Sequence, residues 1–141
     1  MDEIINGLSF KLLTGAVCGS LVAWFGGWDT LFKFLVFLVV LDYLTGIIAA
    51  WTEQKVSSNI GAKGIAKKVC LFIPVGIAYW LDQLFGSDSV LRSMAIGFYI
   101  GNEGISLTEN LTRIGVPMPP FITESLQQVG KLLHLKNSTD K

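Results

Sequence analysis

The sequence predicts an all-α, polytopic membrane protein, and three observations carry that expectation. Half of the residues are hydrophobic (51%) and only 16% are charged, against about 25% charged in an ordinary soluble domain. The mean hydropathy is +0.54. The apolar residues are also gathered into runs of about the length that crosses a bilayer as a helix. A single domain of 141 residues is too small to hide this much apolar surface in a private core. The formal net charge is zero, which removes any bulk electrostatic case for a nucleic-acid partner or an acidic substrate.

Four transmembrane segments are expected, at 8–27, 30–51, 69–85 and 90–107. Within the first, Lys11 followed by the apolar run from Leu12 to Gly27 has the form of a signal peptide; that reading leaves the later runs unexplained, so the segment is expected to be retained. The second is the strongest, an almost unbroken apolar run from Leu31 to Trp51, with Trp24 and Trp28 before it and Trp51 at its far end, where interfacial aromatics belong. The third holds Pro74, which kinks a membrane helix and frees a carbonyl for a neighbour. The fourth is apolar through Met94–Ile100 but runs straight into Gly101, Asn102, Glu103 and Gly104. It either spans with its polar groups facing protein or water, or lies partly in the interface.

Positive charge decides for the span. The connection 52–68 carries Lys55, Lys63, Lys67 and Lys68 against Glu53 alone, so it is expected on the cytoplasmic side, where it also attracts anionic lipid headgroups. Four spans then place both termini in the cytoplasm. Lys11, the four loop lysines, Arg113, Lys131, Lys136 and Lys141 fall on that side, and only Lys33 and Arg92 fall outside it. Residues 1–110 are accordingly expected to form the transmembrane domain and 111–141 a cytoplasmic tail. Pro117, Pro119 and Pro120 end the preceding helix. Beyond them Ile122, Leu126, Val129 and Leu133 share one helical face, a short amphipathic helix resting on the bilayer or on the other helices. The last residues, 137–141, are expected to fray.

Small residues recur at a spacing of four: Gly15 and Gly19 with Ala23, Gly97 and Gly101, and Gly46 with Ala50. That spacing lets helix backbones approach closely, either within one chain or between copies of it. Asp42 lies about nine residues, or roughly 14 Å, from the cytoplasmic end of the second segment. A carboxylate at that depth costs at least ~2.5–3.5 kcal/mol. It must therefore be tied to a neighbouring helix or border water, and Asn102 and Glu103 pose the same choice. These three are the candidate pore-lining or intramembrane polar residues. Asp82 sits near an external end, where solvent can reach it. Cys18 and Cys70 read as small buried hydrophobes.

No catalytic residue, metal site or cofactor is expected. His134, the sole histidine, has no acid or thiol at triad or metal spacing, and no phosphate-binding or dinucleotide fingerprint occurs.

Several stretches together resemble a phage holin family, the one that includes lysis holins of phages of Gram-positive bacteria and toxin-secretion holins of clostridia. They are Asp42-Tyr43-Leu44-Thr45-Gly46, the basic segment from Ser57 to Lys68, Leu107-Thr108-Glu109-Asn110-Leu111, and Gly115-Val116-Pro117-Met118-Pro119. Order and spacing are kept over roughly residues 30 to 135. The resemblance implies a protein of the bacterial host's cytoplasmic membrane that homo-oligomerises and opens a pore or lesion. Through it an endolysin, or in related systems a toxin, leaves the cell and lysis follows. Members of this family are often drawn with three spans, one fewer than the charge distribution gives here. From another class, a small ion channel or transporter subunit would use Asp42 and Glu103 to coordinate ions. A purely structural membrane protein is the third reading.

Overall fold

A computed structural model describes residues 1–55 and 57–136. Its elements are α1 (Asp2–Trp24), α2 (Thr30–Thr52), α3 (Ser58–Cys70), α4 (Phe72–Phe85), α5 (Val90–Ile114) and α6 (Pro120–Lys136). No strand occurs among the described residues. Among the described residues, three helical stretches are long and apolar enough to cross a membrane: Glu3–Trp24, Thr30–Thr52 and Gly61–Phe85. The fourth expected segment, α5, is not one of them, because Arg92, Asn102, Glu103, Glu109, Asn110 and Arg113 dilute its apolar residues.

The third stretch corrects the sequence reading at its start. The lysine-rich connection was expected to be a loop up to Lys68, yet α3 is helical from Ser58 and runs into α4. Lysine and alanine are good helix formers, so positive charge there marks a helix end at the membrane rather than a break in the chain. The two helices part at Leu71. Pro74 has no N–H to offer Cys70, and its ring crowds that carbonyl.

The core lies between α2, α4 and α5. Leu35 and Leu38 of α2, Val75 of α4, and Ile96, Ile100 and Leu107 of α5 are buried in it, with Phe32 and Leu71 at its edge. Helix α6 covers a further side of α5. Leu126 sits over Gly104, so close that a Cβ there would lie 2.7 Å from the leucine Cδ2. Gly104 is ten residues back from the end of α5 and Leu126 six residues into α6, across the short connection 115–119. The two helices therefore run antiparallel, as a hairpin. Side chains from Val129 to Lys136, and all of 137–141, lie outside the described residues; this covers the expected contacts of Val129 and Leu133, the setting of His134 and the frayed end. The tail boundary expected at 110 falls inside α5.

Helix α1 stands apart. None of its membrane-crossing window is buried, and nothing approaches within 4 Å of a Cβ built on Gly15 or Gly19. Gly46 instead lies against Asn110, whose Nδ2 would stand 3.4 Å from a Cβ built there. Gly101 is buried in α5 and Gly97 half-buried. Cys18 and Cys70, expected to be buried, are both exposed on outward helix faces.

The turn from α1 to α2 depends on Gly26. Its φ is +85°, and a Cβ would stand 2.6 Å from the Tyr79 ring and 2.7 Å from Arg92 Nε. Gly26→Ala is expected to lower stability by about 2–3 kcal/mol through backbone strain and crowding together. Thermal unfolding in detergent, compared with Gly27→Ala, whose Cβ meets nothing within 4 Å, measures the part due to crowding.

Candidate functional site: a buried ion cluster between α2, α3 and α5

Asp42 faces inward from α2 and Glu103 from α5, both buried. Between them stands Lys68, brought in by α3. Its ammonium lies 2.5 Å from Asp42 Oδ2 and also binds Glu103 Oε2. One lysine thus clasps two acids on two other helices. Asn110, about two turns along α5 from Glu103, donates from Nδ2 to Asp42 Oδ1 (2.9 Å) and to the Asp42 carbonyl (3.2 Å). Thr45 donates back to the Leu41 carbonyl at 2.8 Å. No buried side-chain nitrogen or oxygen among the described residues lacks a partner.

The network continues to the helix ends. Arg113 donates to Asn110 Oδ1 (3.3 Å) and to Glu53 Oε1 (2.8 Å), and Glu53 also pairs with Lys55 at 3.2 Å. Hydrogen bonds from Arg113 and then Lys55 hold the Glu53 carboxyl down at about 2, against an ordinary 4.5. A depressed carboxylate contributes its contact above its unfolded value and loses it as pH falls through the folded one. Glu53 is therefore expected to stay ionised through pH 4.5 and to release Arg113 only near pH 2. An infrared carboxylate band that Glu53→Gln removes checks this, and a midpoint above 4 would contradict it.

At the opposite end a buried cation ties α5 to the turn before α2. Arg92 is 2% exposed. Its guanidinium donates to the carbonyls of Phe25 (2.5 Å) and Gly27 (3.1 Å), binds Asp29, and lies 5.7 Å from the centre of the Phe32 ring. Asp29 also caps α2 by accepting from Phe32 N–H at 2.8 Å. Partial burial pushes its carboxyl up, but the Phe32 N–H and Arg92 outweigh this and hold it below the usual range. Asp82, expected in solvent, is buried instead. It accepts from Ser87 Oγ (2.5 Å), Leu91 N–H (2.9 Å) and Arg92 N–H (2.7 Å), so it caps the start of α5. An unpaired helix N-terminus at a buried turn needs such an acceptor.

Of the residues singled out in the sequence, the structure unites Asp42 and Glu103 but not Asn102, which is exposed one position away on α5. Lys68 was expected at the lipid surface with Lys55, Lys63 and Lys67; it alone turns inward, and the other three are exposed. Lys68 and Asn110 are the members that sequence reasoning missed. The signal available was stoichiometric: two intramembrane acids need a cation.

Two cavities flank the cluster. One of about 370 Å³ is lined mainly by Tyr43, Gly46, Ile47, Ala50, Gly61 and Gly64, with Asp42, Lys68 and Asn110 at its floor. The other, about 390 Å³, opens between α3 and α5 and is lined by Lys67, Lys68, Tyr99, Asn102, Glu103 and Glu109 among others. No group of three His, Cys, Asp or Glu placed to hold a metal ion occurs among the described residues.

Apolar helices closed around paired charges, with three helical stretches among the described residues apolar enough to cross a bilayer, define an all-helical protein suited to a membrane. The chain belongs to the bacteriophage holin family, whose model matches residues 19–131. It is similar to a probable holin of Bacillus phage phi105, 36% identical over 95 residues that cover 67% of this chain and 70% of the phage protein. An uncharacterized protein of Clostridium perfringens (strain 13) is 38% identical over 135 residues, covering 94% of this chain and 100% of its own. One from Listeria monocytogenes is 42% identical over 116 residues, covering 82% and 81%. No solved structure matches the chain.

Proposed function

We propose that this protein is a holin that self-assembles in the cytoplasmic membrane of a bacterial host and opens a lesion through which an endolysin, or in related systems a toxin, leaves the cell. Family membership gives the holin role. The observation that supports self-assembly is α1: a long apolar helix, carrying Gly15 and Gly19, whose membrane-crossing window no described residue buries, although its last residue, Trp24, packs on Trp80. Within one monomer those glycines have nothing to pack against, which favours contact between copies.

Four crossings, with the N-terminus and the connection after α5 on the cytoplasmic side, remain our reading despite the polar character of α5. Arg92 joins α5 to the residue before α2, and Arg113 joins it to the residue after α2. At 25 residues α5 is about 37 Å long, and it lies beside the strongest span from end to end. Its buried polar groups Arg92, Glu103 and Asn110 are met by Asp29, Lys68 and Asp42 rather than by lipid. The channel or transporter alternative needs Asp42 and Glu103 free for ions; both are closed on Lys68.

Expression of the protein alone in a bacterium, with membrane potential and escape of a cytoplasmic enzyme followed together, tests the proposal. A holin collapses the potential and releases the enzyme. Lost potential with the enzyme retained fits an ion channel, and unaffected cells rule out both. Gly15→Leu is expected to weaken cross-linked oligomers and delay release while leaving the monomer's unfolding temperature unchanged; unchanged oligomers would remove α1 from the interface.

A further inference from the structure

The outward surface of the bundle is two-sided. On α2 the exposed residues are apolar apart from Thr30 and Lys33 in its first turn and Thr52 at its end, and include Phe34, Phe37, Val40, Leu44 and Ile48; on α4 they include Ile73, Ile77, Trp80 and Leu84. Such faces suit lipid. The exposed strip of α5 instead carries Asn102 and Glu109 around Ile105, and α6 exposes Glu124, Ser125, Gln127 and Gln128. Between α5 and α3 this strip opens into the polar cavity that holds Lys67, Tyr99, Asn102, Glu103, Ser106 and Glu109. Leu126 fixes α6 beside Gly104, about 15 Å in from the end of α5 at the helical rise. The polar face of α6 is thus carried to the depth of the ion cluster.

Hydrocarbon does not fill a cavity lined by ammonium, carboxylate and amide groups; each would cost several kcal/mol there. Water does, given two to four polar partners per molecule.

We infer that the side of the molecule formed by the α3–α5 cavity, the Asn102–Glu109 strip and the outward face of α6 is a water-facing wall, turned toward the same wall of other copies across an aqueous lumen, while α2 and α4 face lipid. This rests on the self-assembly reading and adds to it which surface lines the path. The acids of the cluster are then not the lining itself. Asp42 lies behind the wall, closed on Lys68, and Glu103 lies at its base. The groups that meet water are Lys67, Asn102, Glu109, Glu124, Gln127 and Gln128. Charges of both signs occur among them, so the lumen is hydrated without strong ion selectivity, as passage of a folded protein requires.

The test uses the full chain in liposomes, with Cys18 and Cys70 replaced by serine and a single nitroxide at a cysteine introduced by Asn102→Cys, Glu109→Cys, Gln127→Cys, Phe37→Cys or Ile77→Cys. Collision with a water-soluble nickel complex is compared with collision with oxygen, which concentrates in the lipid. Labels at 102, 109 and 127 are expected to meet nickel several-fold more than labels at 37 and 77, which meet oxygen. Oxygen-dominated collisions at 102 and 109 would make the strip lipid-facing and overturn the inference. Low collision with both reagents there would make it a dry contact between copies, which overturns it equally. Enzyme release from cells carrying the same variants is a separate readout: loss of release in the wild type strikes the holin reading, whereas normal release with a reversed collision pattern strikes only the wall.

Discussion

Lys68→Met will cost about 3–5 kcal/mol of stability, the range for removing one partner of a buried ion pair. Methionine keeps the length and apolar stem of lysine but not its charge, so the loss isolates the ammonium. Asp42 and Glu103 are then left with no cation between them, and Asn110 alone still donates to Asp42. Adding Asp42→Asn and Glu103→Gln to Lys68→Met is expected to recover much of the loss, because a neutral trio has no unpaired buried charge. Unfolding in mixed detergent, followed by tryptophan fluorescence, measures both. If the single variant is as stable as the wild type, Lys68 does not clasp the helices. If the triple variant is worse than the single one, the acids have a further partner.

Arg92→Met will be nearly as damaging, by about 3 kcal/mol, and Arg92→Lys will rescue little of it. The guanidinium reaches two carbonyls and one carboxylate at once from a buried position. A lysine offers one compact charge without that planar fork. The loss falls on the junction of α1 with α2, so proteolysis in the 25–29 turn is expected to rise in step with the fall in unfolding temperature. A fully stable Arg92→Lys would show that charge alone, not the fork, holds the turn.

The apolar spans were legible in the sequence because lipid demands a composition that soluble folds avoid, and the run from Leu31 to Trp51 meets it without help from neighbours. The kink at Pro74 was legible for a covalent reason. The start of the third crossing was not: Lys63, Lys67 and Lys68 look alike in a linear charge count, yet only the helical phase of α3 turns Lys68 toward Asp42 and leaves its neighbours outside. The pairing with Glu103 spans 35 positions, and no local pattern encodes that. Asp82 misled for the same reason. Its depth along the helix suggested solvent, while its actual partners are the N–H groups of the next helix, which exist only once the 86–89 turn has formed. The glycines divided along similar lines. Spacing picked out Gly15 and Gly19 as packing surfaces; Gly104, which seats α6, extends the small-residue stripe of Gly97 and Gly101 but stands three positions on, outside the spacing of four.

The buried cluster and the polar wall both follow from α5 crossing the layer beside α2. The direct measurement is the sidedness of Val116, in the connection after α5, against Asp88, in the turn before it, both exposed. Each is replaced by cysteine in a chain whose Cys18 and Cys70 are serine, and intact cells are treated before any lesion opens with a thiol reagent that cannot enter. Four crossings predict labelling at 88 and none at 116 until the cells are broken. Labelling of both positions from outside would mean that α5 does not cross.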